Sequence, residues 1–206
     1  MSASPLPRFI LLTLAWLPVM FAVWYLAAPF ILWPARLLAQ GVLHAGFDEL
    51  VRAVEGSGST AQILTSLKPG QAVAGGSVTV DIDMLLYAFG LPMFAALVVA
   101  AREPHWPRVL VIGYLAMLPF IAWGIVAEFL KNIAITASPL VASQTGFSAA
   151  QREAIAFAFQ FGSLILPTVV PAAAWVLSHR AFLERLRSGV RRSPASAPKP
   201  APDRHA

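Results

Sequence analysis

Glu128 is the residue of this sequence best placed to do chemistry, because it is a carboxylate near the end of a long apolar run. An ionisable group in such a run is costly and commonly functional. Lys131 follows three residues later, at a spacing that brings helical side chains together. One interpretation is a local ion pair at the membrane interface, in which the lysine extends towards the headgroups. The other is that Glu128 belongs to a larger polar pocket.

The larger pocket would gather polar residues that three apolar runs place at a similar depth. Such a pocket would suit the docking of a partner peptide or a lipid headgroup. Its predicted members are Asp83, Tyr87, Glu128, Lys131, Asn132 and Gln160.

Other reactive arrangements are absent from the sequence. The chain has no cysteine, which excludes disulfides, thiolate metal sites and a cysteine nucleophile. Its four histidines are scattered, so no metal site is predicted. No serine lies in a Gly-x-Ser-x-Gly turn, and no glycine-rich phosphate loop precedes a helix. Asp81 and Asp83 would share one face of a strand. A catalytic acid and base need different pKa values, and no apolar residues are expected to cover one of these carboxyls and raise its pKa above that of the other. We therefore predict neither a cofactor nor an enzyme, and a membrane enzyme using Glu128 or these aspartates is the least favoured hypothesis.

The elements that must position these residues are transmembrane helices. Hydrophobic residues make up 58% of the chain and charged residues 12%, against about 45–50% and about 25% in soluble domains. A helix that crosses the bilayer needs about 20 mainly apolar residues. Four segments meet this requirement, namely 9–33, 84–101, 109–130 and 154–177.

The region between the first two spans differs from them in residue composition. Residues 34–48 predict an amphipathic helix on the membrane surface, since Pro34 suits a first helical turn and apolar residues recur every three or four positions. Residues 49–83 contain short β-favouring runs between Gly, Pro and Ser clusters, which predict two or three antiparallel strands. The predicted fold is an all-α polytopic membrane protein, a four-helix transmembrane bundle with a small extracytoplasmic β-meander inserted between helices 1 and 2.

The distribution of Lys and Arg predicts the orientation of the chain. Ten of these residues fall in the N-terminus 1–8, the loop 102–108 and the tail 178–206, and five fall in the opposite loops, which include 131–153. Both termini are therefore expected in the cytoplasm. The net charge of +5 suits anionic lipid headgroups, and no nucleic-acid partner is predicted. The basic tail is rich in Pro, Ala and Ser and is expected to be largely disordered.

Small residues and prolines in the spans leave further alternatives open. Ala154, Ala158 and Gly162 recur every fourth residue, which predicts close helix packing within the chain or with a partner. Every predicted span contains proline. Such prolines are commonly tolerated kinks, but broken helices also line transporter sites. A small carrier or channel with a polar site near the outer ends of spans two to four is therefore the alternative function.

Several short stretches occur in an order and spacing typical of one protein family, over about residues 8–184. They are Leu17-Pro18, Trp24 to Pro29, Leu32 to Pro34, Leu85 to Pro92, Ala122 to Gly124, Leu130-Lys131, Leu164 to Thr168 and Ala181 to Leu183. In these stretches the sequence resembles the exosortase H-associated membrane proteins.

The resemblance implies a role beside an exosortase, the polytopic membrane transpeptidase that removes a C-terminal sorting helix from exported bacterial proteins. Exosortases resemble one another in a catalytic cysteine with arginine and histidine. This chain has no cysteine, so it cannot be that enzyme by that mechanism. We expect a non-catalytic accessory protein of the bacterial inner membrane, whose partners are membrane lipids and an exosortase or its sorted substrate.

Overall fold

Helices dominate the computed structural model of this chain, which describes residues 5–69, 76–180 and 182–184. Two π-helical turns, Asn132–Thr136 and Phe161–Ile165, extend α4 and join α6 to α7. The elements in chain order are α1 (Pro5–Phe47), β1 (Val51–Ser57), β2 (Thr60–Thr65), β3 (Thr79–Asp83), α2 (Leu85–Ala88), α3 (Gly90–Ala101), α4 (Trp106–Lys131), α5 (Pro139–Gln144), α6 (Ala149–Gln160) and α7 (Leu166–Ser178).

Three helical stretches in the described ranges are long and apolar enough to cross a membrane. They are Leu6–Phe47, Trp106–Thr136 and Ala149–Ser178. The predicted span 84–101 instead forms the short helix α2 followed by α3, and its apolar stretch Leu85–Ala101 is shorter than the about 20 residues that a span usually needs. The four-helix transmembrane bundle therefore remains a prediction.

Helix α1 continues through Pro34, where the sequence predicted that a span ends and a surface helix begins. Proline weakens the hydrogen bonding of the preceding turn because it lacks an N–H. Tyr114 Oη donates a hydrogen bond of 2.7 Å to the Ile31 carbonyl in that turn. One buried seam also follows α1 through both predicted segments, at helical spacing, so tertiary packing favours a single helix. The seam consists of Trp24, Ala28, Leu32, Ala35, Ala39 and Leu43.

The predicted β-meander is present as a three-stranded antiparallel sheet in the order β1-β2-β3. Side chains of β2 and β3 alternate between more and less buried positions, as in strands with one covered face. One face is buried, as Ile63 and Ile82 show. On the other face the register aligns Glu55 with Gln62 and Gln62 with Asp81. The sheet therefore presents a polar row away from the core.

Three contacts hold the sheet end of the molecule together. The Arg36 side chain of α1 lies across Gly56, whose missing side chain leaves room for it. The Gln144 side chain of α5 accepts a hydrogen bond from the Lys68 N–H and donates one to the Lys68 carbonyl, both at 3.0 Å. Phe47 and Phe147 pack edge to face with centroids 6.3 Å apart. The sheet and the α4–α6 connection thus lie at the same end of the molecule.

The beginning of α1 meets the end of α7. The Phe9 ring stacks on Trp175 with a centroid distance of 5.6 Å and packs edge to face on Phe182 at 5.2 Å. His179 is buried in the same cluster. Both ends of the described chain therefore share one end of the molecule. Most of the predicted tail 178–206 lies outside the described residues, which end at 184.

Candidate functional site

A tyrosine and a glutamate meet where the sheet passes into the helices. Asp83 ends β3, and its carboxylate accepts the Leu85 N–H at 3.0 Å at the start of α2. This turn directs Tyr87 inwards, where 2% of its surface is exposed. The Tyr87 hydroxyl donates a hydrogen bond of 2.8 Å to Glu128 Oε2 on α4. The strand end, α2 and α4 thereby form one polar junction.

Gly124 makes this approach possible. It lies one helical turn before Glu128 on the same face of α4. A Cβ atom at Gly124 would lie 2.1 Å from Cδ1 of the Tyr87 ring, a separation that real atoms do not tolerate. The ring therefore occupies the space that glycine leaves on α4, and the hydroxyl is held at the carboxylate. We name Tyr87, Gly124 and Glu128 the tyrosine–glutamate junction.

Lys131 does not pair with Glu128, because no cation of the described residues lies within ion-pair distance of that carboxylate. The Lys131 ammonium instead lies 4.3 Å from the centroid of the Phe159 ring on α6. Such a cation–π contact is favourable and leaves the ammonium partly hydrated. The ion pair suggested by the three-residue spacing is therefore replaced by a contact between α4 and α6.

The remaining members of the predicted pocket have separate environments. Asp83 is near enough to Tyr87 to interact with it electrostatically. Asn132 is partly buried at the start of the π-helical turn, and its carbonyl accepts the Ala137 N–H at 2.8 Å. Gln160 is exposed at the end of α6. The structure thus brings Asp83 and Tyr87 together with Glu128, and it gives Lys131 and Asn132 other contacts.

The predicted small-residue stripe on α6 lies partly against α4 of the same chain. The Ala158 carbonyl accepts a hydrogen bond of 3.1 Å from Trp123 Nε1. A Cβ atom at Gly162 would lie 3.0 Å from the Trp123 ring and 3.4 Å from the Gly124 Cα. Ala154 is exposed. The Trp123 hydrogen bond was not foreseen from the sequence, although a tryptophan beside a glycine in an apolar run was a signal for it.

Close backbone packing continues behind the tyrosine–glutamate junction. A Cβ atom at Gly90 would lie 2.2 Å from the Pro167 carbonyl oxygen and 2.4 Å from Cγ of Pro171. The crevice between α2, α3, α4 and α7 holds about 10 Å³, which is room for about one water. The helices therefore meet here in a packing centre, and the crevice is too small for an organic ligand.

No group of three His, Asp or Glu residues that could hold a metal ion occurs in the ranges that the structure describes. Within those ranges, Glu128 offers a partly accessible carboxylate that is held by Tyr87 and lacks an ion-pair partner. Such a group can accept hydrogen bonds from a docked partner.

Comparison with known proteins gives a single family assignment. The model of the exosortase H-associated membrane protein family matches residues 3–182. No curated protein and no solved structure matches the chain. The matched range contains the three long apolar helices, the sheet and the tyrosine–glutamate junction. The resemblance seen in the sequence is thereby confirmed, and the chain belongs to the family of exosortase H-associated membrane proteins.

Proposed function

We propose that this protein is a non-catalytic accessory component of an exosortase-type protein-sorting system. In this role it recognises or stabilises the sorting enzyme or its substrate at the outer face of the bacterial inner membrane. Family membership supports the association with an exosortase system, and the three long apolar helices support a membrane location. The observation that carries the proposal further is the exposed polar face of the sheet, which adjoins the tyrosine–glutamate junction.

The exposed face of the sheet has the character of a recognition surface. Glu55 and Asp81 are exposed, and the strand register places Gln62 between them. Asp83 adds a further carboxylate at the start of α2, close to Tyr87. A partner surface that carries Lys or Arg would be electrostatically complementary. We infer that the partner contacts this face with basic residues.

Copurification after mild crosslinking in native membranes tests this function. The wild-type protein is expected to recover a sorting enzyme or a sorted substrate. Asp81→Lys reverses one charge on the exposed sheet face and should reduce that recovery at least several-fold. Glu153→Lys is the matched control, because Glu153 is also exposed but belongs to α6 and not to the sheet.

Two outcomes would count against the proposal. If wild-type protein recovered neither enzyme nor substrate, the accessory role would be wrong. If Asp81→Lys and Glu153→Lys reduced recovery equally, the sheet face would not be the contact surface.

The alternative of a carrier or channel finds less support in the described residues. The inter-helix crevice holds only about 10 Å³. A larger groove between α1, α4 and α6 measures about 360 Å³, but apolar side chains such as Leu38, Val126 and Leu130 line it. A polar solute would be poorly solvated by such a lining.

The orientation can be tested by labelling single cysteines, since the natural chain has none. Ser77 precedes β3 and Glu184 follows α7, and both residues are exposed. With both termini in the cytoplasm, Ser77→Cys should react with a membrane-impermeant maleimide added to spheroplasts. Glu184→Cys should react only after lysis. The reverse labelling pattern would invert the proposed topology.

A further inference from the structure

An apolar groove lies between α1 and the hairpin formed by α3 and α4. It measures about 470 Å³. Several of its lining side chains, such as Phe30, Val111 and Leu91, come from three different helices. Phe30 and Val111 are 82% and 59% exposed, so the groove is open at the surface of the helices. A hydrocarbon chain would suit its volume and its apolar lining.

Trp24 is one of the residues that line this wall. Only 8% of its surface is exposed, and its indole N–H has no hydrogen-bond partner within the described part of the chain. A buried indole N–H normally finds an acceptor. This N–H is enclosed by protein atoms, so the groove presents an almost wholly apolar lining to a hydrocarbon chain.

The groove opens towards a basic turn. Val111 lines the groove one turn into α4, and Arg108 lies three residues earlier on the same helix face. Arg102 ends α3 at the other side of the turn, and both arginines are exposed. The turn also contains His105 and a single carboxylate, Glu103, so its charge is positive.

Trp106 marks the depth of this turn. It begins α4 and is 43% exposed, and tryptophan is enriched at the headgroup level of membranes. The mouth of the groove thus lies where lipid phosphates and ester carbonyls are found. Basic pockets between membrane helices are known to hold anionic headgroups.

We propose that this groove binds one anionic phospholipid. Its acyl chain lies between α1 and the α3–α4 hairpin, and its phosphate contacts Arg108 and Arg102. The lipid thereby fills the groove between α1 and the α3–α4 hairpin.

Native mass spectrometry of the delipidated full-length protein tests this proposal. Phosphatidylglycerol and phosphatidylcholine with identical acyl chains serve as the probes. The wild-type protein should retain phosphatidylglycerol preferentially. Arg108→Gln should weaken phosphatidylglycerol binding about tenfold, while Arg180→Gln, at an exposed arginine just beyond the end of α7, should leave it unchanged. Val111→Trp fills the groove and should weaken binding of both lipids.

Val42→Trp is the matched control for the filled groove. Val42 is 51% exposed and lines the separate groove between α1, α4 and α6. Equal retention of the two lipids by the wild-type protein would overturn the proposal, as would unchanged phosphatidylglycerol binding in Val111→Trp. A membrane protein that crosslinks at position 111 in place of lipid would also overturn it. Size-exclusion profiles of all variants verify that they are folded.

Discussion

Gly90→Ala is expected to destabilise the folded protein, whereas the same substitution at Gly41 is expected to leave it as stable or slightly more stable. The added Cβ at Gly90 would lie 2.2 Å from the Pro167 carbonyl oxygen and 2.4 Å from Pro171. A backbone atom and a proline ring cannot move aside as a flexible side chain would. Overpacking of this kind costs about 1–3 kcal/mol.

Gly41 provides the control because a Cβ atom added there would have nothing within 4 Å. Alanine has the higher helix propensity, by up to about 1 kcal/mol. Thermal unfolding in detergent, followed by tryptophan fluorescence, should therefore show a lower Tm only for Gly90→Ala. An equal fall in both variants would show that the approach of α3 to α7 does not determine stability.

Tyr87→Phe is expected to weaken the tyrosine–glutamate junction. The substitution removes the hydroxyl that donates to Glu128 at 2.8 Å and keeps the ring on Gly124. A hydrogen bond to a charged group contributes about 1.5–3 kcal/mol, and the partial exposure of Glu128 favours the lower end of that range. The matched control is Tyr25→Phe, because Tyr25 is 64% exposed.

A double-mutant cycle with Glu128→Gln separates this hydrogen bond from other effects. The double variant Tyr87→Phe/Glu128→Gln should lose less stability than the two single variants lose together. The measurement is the free energy of unfolding in mixed micelles for all four proteins. Strict additivity would mean that the two side chains do not interact in the membrane protein.

The sheet was predictable from the sequence because its signals are local. Glycine and serine clusters mark the turns, and apolar residues such as Ile63 and Ile82 alternate with polar ones. The course of α1 was less predictable. Pro34 favours a helix start in any local sequence argument, but the buried seam from Trp24 to Leu43 depends on contacts that only the folded chain supplies.

The candidate site was predictable in part for the same reason. Similar depth in the membrane suggested that Asp83, Tyr87 and Glu128 would lie near each other, and the structure places them so. The partner of Lys131 was not predictable, since its contact with Phe159 depends on how α4 and α6 cross. Sequence spacing predicts which side chains are neighbours on the same helix. It does not predict which side chains of a second helix they contact.

The Gln144 side chain bonds to both backbone groups of Lys68, as a neighbouring strand would. This pairing joins segments that are 76 residues apart in the chain. It mechanically links the loop after β2 to the connection that leaves α4. A partner that displaces the sheet would therefore strain the end of α4 at Lys131, within one turn of Glu128. If that strain reached Glu128, partner binding at the sheet face and the hydrogen bond from Tyr87 to Glu128 would be linked equilibria, in which each alters the other by the same free energy.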